Sequence, residues 1–415
     1  MVPAQPDSSS VRVRPQPPAH SSAAARRLAL EALHRIDEGA YANLVTPALL
    51  ERSRLTSRDR NFVTAIAYGA TRMRRALDHL VDRHARRPTD DEVRRVLRLG
   101  AFELAYLRTP PHAAVSQAVS LAPERAQGFT NAVLRKVAAD VAAGITWPDP
   151  ATELSYPDWV VEALTEDLGE EHALAALRIM DEPAEATERD DGYTQDLASQ
   201  WVVEEVGALP GERILDLCAA PGGKATLLAE LGAVVTAADI SVRRSQLVAE
   251  NADRLGAPVA GVVVADGLAA PFRPRSFDRV LIDAPCSGLG VLRRRPDARW
   301  RVKPSDVEEL ADLQRRLLTA ASYLVRPGGV LVYSVCTLTA AETIGVDLPH
   351  LDALSPPGDP WEPWGRGARL LPHTRGTDGM FLLRLRANEA RSPNVAARPR
   401  RSHARRRNVD DGAPP

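Results

Sequence analysis

Cysteine is scarce in this chain, with three among 415 residues. Three thiols without framework spacing exclude a disulfide-stapled scaffold and point to a reducing compartment. Long apolar runs are missing as well. No stretch approaches the roughly 18 residues of a membrane helix, and the first 20 residues lack the apolar core of a secretion signal. A cytoplasmic protein with no membrane contact is expected. No metal ion is expected, and the chain is read as a monomer.

Net charge is nearly absent too, at −1, but that balance conceals segregation. Residues 21–140 carry 20 Lys/Arg against 13 Asp/Glu, whereas residues 149–196 carry 2 against 15. Residues 391–415 hold 7 Arg and 2 Asp. An arginine-driven N-terminal region suits a phosphate-rich partner such as RNA. The acidic stretch repels phosphate and is not expected to grip it.

The apolar residues that are present divide the chain. Residues 1–22 and 389–415 have almost none and are expected to be disordered, the latter as a basic tail. Between 23 and 140 the pattern is helical. Ala29, Leu33 and Ile36 share a stripe, as do Val93, Val96, Leu97 and Gly100, and again Val115, Ala118, Val119 and Ala122. Asp59 and Thr89 read as helix starts, and Pro110-Pro111 as a break. Residues 141–194 read as an acidic linker or a reduced subdomain. Over 195–388 the period changes. Short β-branched runs at 213–217, 233–239, 261–266, 277–283 and 329–334 alternate with helical segments. That alternation implies a parallel sheet covered on both faces, with ligands at the carboxyl ends of its strands. Asp216, Asp239, Asp266, Asp283 and Cys336 all lie at such ends. The fold class is therefore an all-α bundle followed by an α/β Rossmann-like domain.

Each cysteine sits in its own loop: Cys218 in Leu215-Asp-Leu-Cys-Ala-Ala-Pro-Gly-Gly-Lys, Cys286 in Asp283-Ala-Pro-Cys-Ser-Gly, Cys336 in Tyr333-Ser-Val-Cys-Thr-Leu. The first of these follows a strand and opens a helix. Residues Cys218, Ala219, Ala220, Pro221, Gly222, Gly223 and Lys224 therefore form a candidate cofactor loop, where glycine lets backbone approach a ligand. Ala225 follows Lys224, so the phosphate-loop pattern fails, and the dinucleotide Gly-x-Gly-x-x-Gly pattern is absent. Asp239 is placed to accept from ribose hydroxyls and Asp266 from an exocyclic amine of adenine. A ligand with ribose and adenine but no pyrophosphate fits S-adenosylmethionine.

Two resemblances extend this reading. Arg27-Leu-Ala-Leu-Glu-Ala-Leu, Asp59-Arg-Asn-Phe-Val, Leu97-Arg-Leu-Gly-Ala-Phe-Glu-Leu and Phe129-Thr-Asn-Ala-Val-Leu-Arg resemble the NusB-like RNA-binding fold. Residues 195–385 resemble the RNA (cytosine-5)-methyltransferases of the Sun/RsmB/Nop2 group. Gln195-Asp-Leu-Ala-Ser-Gln, the two loops at 216–224 and 283–290, and Arg294-Arg-Pro-Asp carry that likeness. So do Pro327-Gly-Gly, Ser334-Val-Cys-Thr-Leu with Glu342, and Gly376-Thr-Asp-Gly-Met-Phe. Val335 stands where threonine is common.

The resemblance implies methylation of cytosine C5 in ribosomal RNA, on the small subunit, through a covalent cysteine–C6 adduct. It assigns the nucleophile to Cys336, proton removal and product release to Cys286, and contact with both the cytosine N3/N4 edge and the bound methyl donor to Asp283. DNA cytosine methyltransferases use the Pro-Cys sulfur instead, so the residues alone leave the two thiols interchangeable. The run Arg293, Arg294, Arg295, Arg299, Arg301 and Lys303 is expected to contact RNA. Transfer RNA as the target, or a non-catalytic RNA-binding assembly or antitermination factor with a vestigial domain, are the alternative readings.

Overall fold

A computed structural model describes residues 22–388; apart from Ser22, the expectations of disorder at the two ends fall outside them. Among the described residues, seven α-helices build the N-terminal unit: α1 (Ala23–Asp37), α2 (Ala42–Glu51), α3 (Ser57–Arg72), α4 (Arg74–Asp82), α5 (Asp91–Ala105), α6 (Pro111–Leu121) and α7 (Gln127–Ala143). The stripe positions Ala29, Leu33, Val93, Val96, Leu97, Val115 and Ala118 are all buried in one core. Helix starts follow capping chemistry and move slightly from expectation. Thr56 Oγ1 accepts from the Asp59 amide at 3.3 Å, so Thr56 is the cap and Asp59 lies in the first turn. An acid in that turn complements the helix dipole. Likewise Asp90, one residue after Thr89, precedes α5. Pro111 opens α6 at a position whose missing N–H costs nothing.

The acidic segment is a packed wedge. Helices α8 (Pro150–Glu153), α9 (Asp158–Leu168) and α10 (Glu170–Met180) bury Tyr156, Leu164 and Leu177 against Leu289, Leu292, Leu338 and Leu371. Glu162, Glu166, Glu170 and Glu171 stay exposed on its outer face.

The third unit runs through α11 (Leu197–Val206), β1 (Arg213–Asp216), α12 (Gly223–Glu230), β2 (Val234–Asp239), α13 (Val242–Leu255), β3 (Gly261–Val264) and β4 (Phe277–Asp283). It continues with α14 (Ala298–Arg301), α15 (Pro304–Ser322), β5 (Val325–Val335), β6 (Asp352–Ala353), β7 (Glu362–Trp364), β8 (Gly367–Leu370), α16 (Pro372–Arg375) and β9 (Met380–Arg386). The strand order is β3-β2-β1-β4-β5-β9-β8-β7, with β6 also on β9. Strands β1 to β5 pair in parallel, as expected, but β9 runs antiparallel to β5, so the sheet is mixed. Alternation sends Ile214, Val235, Leu281 and Val332 to a core with α11 and α12, and Leu215, Val280, Ile282 and Leu331 to a core with α15. Among the described residues no helix is long and apolar enough to cross a membrane.

One expectation is overturned here. Most of the arginines between 293 and 303 are engaged within the protein, and Arg293 and Arg299 are buried away from RNA. Arg293 donates to the Gly376 carbonyl at 2.5 Å, and Arg294 pairs with Asp196 and Asp378 at 2.7 and 3.0 Å. Arg299 is wholly buried. It stacks over Tyr156 at 3.8 Å and donates to Asp181 at 2.8 Å and to the Arg72 and Ser155 carbonyls. Arg301 pairs with Asp297 at 3.1 Å. Arg295 and Lys303 remain exposed. A run of arginines looks alike in sequence whether it meets phosphate or inward-facing carboxylates and carbonyls. Burial holds the Asp181 carboxyl above its usual range while the Arg299 charge draws it back. Replacing Arg299 with Met strands that carboxylate, and denaturant titration should read a loss of about 3–5 kcal/mol.

Candidate active site

The carboxyl ends of β1, β4 and β5 meet at the point where strand order reverses, the usual ligand crevice of such sheets. After β1 the chain turns through 217–222 into α12. Gly222 has φ +109°, and a Cβ there would lie 3.1 Å from the Val248 Cα; no L side chain suits that turn. The rest of the loop is pinned by backbone bonds. The Ala219 amide donates to the Ala238 carbonyl at 2.9 Å. Ala220 and Pro221 carbonyls accept from Arg244 at 3.1 Å and Asn251 at 2.9 Å. Arg189 and Tyr193 were not singled out from the sequence. The Arg189 guanidinium donates to the Gly223 carbonyl at 2.8 Å and to Gln195 Oε1 at 3.1 Å, with the Tyr193 ring against it. Nothing periodic marks this short bridged turn (Glu188 pairs Thr194), so only contact reveals it.

The strand-tip carboxylates divide by environment. Asp239 accepts from the Ser241 amide at 3.0 Å and lies 3.4 Å from Arg244. Asp266 is exposed and accepts from the Leu268 amide at 2.9 Å. Asp216 is fully buried, and neither of its oxygens has a partner among the described residues. Burial first, then the Asp283 charge, push its carboxyl up to about 8, against the pull of Lys224. An orphaned, poorly ionised carboxyl beside a backbone cradle suits a ligand that brings its own cation. Lys224 is buried, donates to Asp283 at 2.6 Å and lies 3.4 Å from Ser199 Oγ. Burial lowers its basicity, but the Asp283 charge and hydrogen bond raise it further. Cys218 is half-buried; burial and the surrounding carboxylates push its thiol far up, which leaves it inert.

The other two cysteines form a pair. Strands β4 and β5 are parallel with Asp283 opposite Ser334, and Ser334 Oγ donates to Asp283 at 2.8 Å. That register brings Cys286 Sγ within 3.3 Å of Cys336 Sγ, both reduced. Their proton affinities diverge. The hydrogen bond from Cys286, helped by the Arg295 and Lys224 charges, holds Cys336 below the ordinary thiol value despite burial and Asp283. The same hydrogen bond, then burial and the Cys336 charge, push Cys286 well up. The directions of these two shifts favour Cys336 over Cys286 as the more acidic thiol of the pair.

A buried carboxylate holds both thiol loops. Glu342 accepts from the Ser287 amide and hydroxyl at 2.8 and 2.5 Å, from Thr337 and Thr339 at 3.1 and 3.0 Å, and from Gln314 at 3.1 Å. The Gly290 amide donates to the Cys336 carbonyl at 3.0 Å, and a Cβ on Gly290 would stand 2.9 Å from that oxygen. A cavity of about 430 Å³ opens beside Cys286, walled by Val302, Leu310 and Leu313. No cluster of three metal-ligating side chains occurs among the described residues.

The coupling has a measurable consequence. Alkylation of Cys336 by iodoacetamide should follow a pH curve centred below the ordinary thiol value of 9.0. Cys286→Ala removes the hydrogen bond that stabilises the thiolate and should move that curve to higher pH; an unmoved curve means the pair is not coupled.

Comparison with known proteins places the chain in a family. Residues 207–386 match the family described as 16S rRNA methyltransferase RsmB/F, and residues 23–139 match the NusB family. The Mycobacterium tuberculosis protein named putative methyltransferase Rv1407 is 37% identical, over 92% of this chain and 99% of its own. Ribosomal RNA small subunit methyltransferase B of Thermus thermophilus is 36% identical, over 87% and 97%. The crystal structure of PH0851 shares the fold at a TM-score of 0.70, with 21% identity over 88% of this chain and 99% of that one. With both domains matched and relatives aligned over nearly their whole length, the chain belongs to the RsmB/F family of methyltransferases and carries a NusB-family domain at its N-terminal side.

Proposed function

We propose that this protein methylates C5 of a cytosine in small-subunit ribosomal RNA through a covalent bond between Cys336 and C6. The observation that carries the reading is the pair of thiols 3.3 Å apart with opposed proton affinities, beside the Lys224–Asp283 pair. The methyl donor is S-adenosylmethionine, which supplies an electrophilic methyl group to the ring carbon. Its fit rests on the backbone of 218–224, on Asp239 for the ribose hydroxyls, on Asp266 for the adenine amine, and on the orphaned Asp216 near its ammonium.

Cytosine C5 is a weak nucleophile, and the residues present are suited to making it stronger. Cys336 thiolate adds to C6 and leaves C5 enamine-like and able to accept the methyl group. Asp283 faces the N3/N4 edge and steadies the activated ring. Addition also consumes the negative charge of Cys336, a cause of the high proton affinity of Cys286. With that charge gone the Cys286 thiol releases its own proton to solvent, and the resulting thiolate takes the C5 proton. Loss of that proton lets the C6–S bond break, returning the electron pair to Cys336. The base must leave its stack to reach a thiolate, so single-stranded or looped RNA is the substrate form.

Purified enzyme with tritiated methyl donor should yield 5-methylcytidine from ribosomal RNA, with transfer RNA as the comparison arm; label in neither overturns the reading. Cys336→Ala should abolish transfer, and Cys286→Ala should accumulate a protein–RNA adduct on denaturing gels. Exchanged phenotypes would reverse the two roles. For the donor site, a carboxyl of pKa about 8 is mostly protonated at pH 7, whereas a cationic ligand favours its ionised form. Donor binding should therefore release a proton at pH 7 and tighten as pH rises toward 8. Calorimetry in buffers of different ionisation heat reads this, and Asp216→Asn should suppress the release.

A further inference from the structure

We propose that the arginine-lined crevice between the helical N-terminal unit and α14 is a second RNA site, which grips a phosphodiester of the substrate backbone away from the reacting base. This rests on the reading of RNA as substrate. The crevice encloses about 120 Å³ and draws its charged walls from Asp37 on α1, Arg74 on α4, Arg95 and Arg98 on α5, and Asp297 and Arg301 beside Trp300.

Its charges do not balance. The guanidinium groups of Arg74, Arg95 and Arg98 converge on one carboxylate, Asp37, at 3.9, 3.7 and 3.7 Å. All three distances exceed hydrogen-bond length, which leaves donors to spare. Arg98 is held separately by Asp78 through two bonds of 2.7 and 2.8 Å, and Arg301 by Asp297 at 3.1 Å over the Tyr41 ring. Along the crevice walls four guanidinium groups thus stand with two carboxylates, and Asp78 holds Arg98 from outside them. Burial, and after it the charge of Arg98, hold the Arg74 guanidinium below its usual range. The charges of Asp37, Asp78 and Asp91 offset this in part, and an anion entering here adds to them.

The crevice offers charge without base-reading groups. Trp300 Nε1 is already bonded to the Thr71 carbonyl at 2.6 Å. Convergent guanidinium donors match the tetrahedral oxygens of a phosphate, and such contacts position a nucleic acid without reading its sequence. The crevice is also tied to the reaction centre. Its α14 wall continues the segment whose Gly290 bonds the Cys336 carbonyl, with Arg295 exposed between them. RNA held there by its backbone would enter the active site in a set register.

The test uses the full-length protein and a fluorescent ribosomal RNA fragment, with binding read by anisotropy across a salt series and no methyl donor present. Arg74→Gln with Arg95→Gln should weaken binding about tenfold and flatten the log K against log salt slope by about 1. In methylation assays KM should rise with kcat retained. Lysine at both positions keeps the charge and should restore much of the slope. Asp37→Asn removes the shared carboxylate and should tighten RNA binding instead, a direction that misfolding cannot mimic. Unchanged affinity and slope in the double variant overturn the proposal. So does a result in which inorganic phosphate or a mononucleotide stabilises only the wild type while RNA binding is equal in both. Because binding is read without chemistry, wild-type protein that binds RNA through the crevice yet makes no 5-methylcytidine sinks the reaction and leaves the site standing.

Discussion

The register between β4 and β5 is the constraint from which the active site follows. Pairing Asp283 with Ser334 sets two loops, 50 residues apart in the chain, side by side at the same sheet edge. A slip of one residue would turn every side chain on β5 to the opposite face and part the two sulfurs. Both strands are buried in cores on either face, so the slip is strongly penalised. The chemistry of the sulfur pair is a consequence of that burial.

What surrounds the pair keeps it in place. Glu342 collects five donors from residues on both thiol loops and on α15, and a buried carboxylate so fully bonded is far costlier to disturb than an exposed one. Arg299, Arg293 and Arg294 act further out, by fixing the 290–301 segment to the wedge helices, to α11 and to the Gly376–Asp378 turn. The polar side of this interior is as specific as its apolar side. A mispacked loop would leave an arginine or a carboxylate buried without its partner, at a cost of several kcal/mol.

The electrostatics are uneven by design of the fold. Asp216, Asp239 and Asp283 crowd the turn that follows β1, with Lys224 as the buried cation among them. Lys224 bonds Asp283, Asp239 is held by an amide and by Arg244, and Asp216 is left to take up a proton near neutrality. Negative surroundings disfavour thiolates, which suits an inert Cys218. Cys336 is drawn the other way by its contact with the neighbouring Cys286 thiol.

Local pattern alone determined much of this protein. The helical stripes of 23–140, the alternating strands after 213 and the gathering of Asp216, Asp239, Asp266, Asp283 and Cys336 at strand ends follow from side-chain period and burial. Both operate over a few residues, so they can be read from one chain. Long-range pairing decided the rest. The antiparallel strand β9, the Arg189–Tyr193 clamp on Gly223, and the contact between the Cys286 and Cys336 sulfurs all depend on groups far apart in the chain. The arginines of 293–301 make the same point. Their charge is plain in the sequence, but only packing shows whether a guanidinium meets water, phosphate or a buried carboxylate, because a side chain's partner is set by the fold around it.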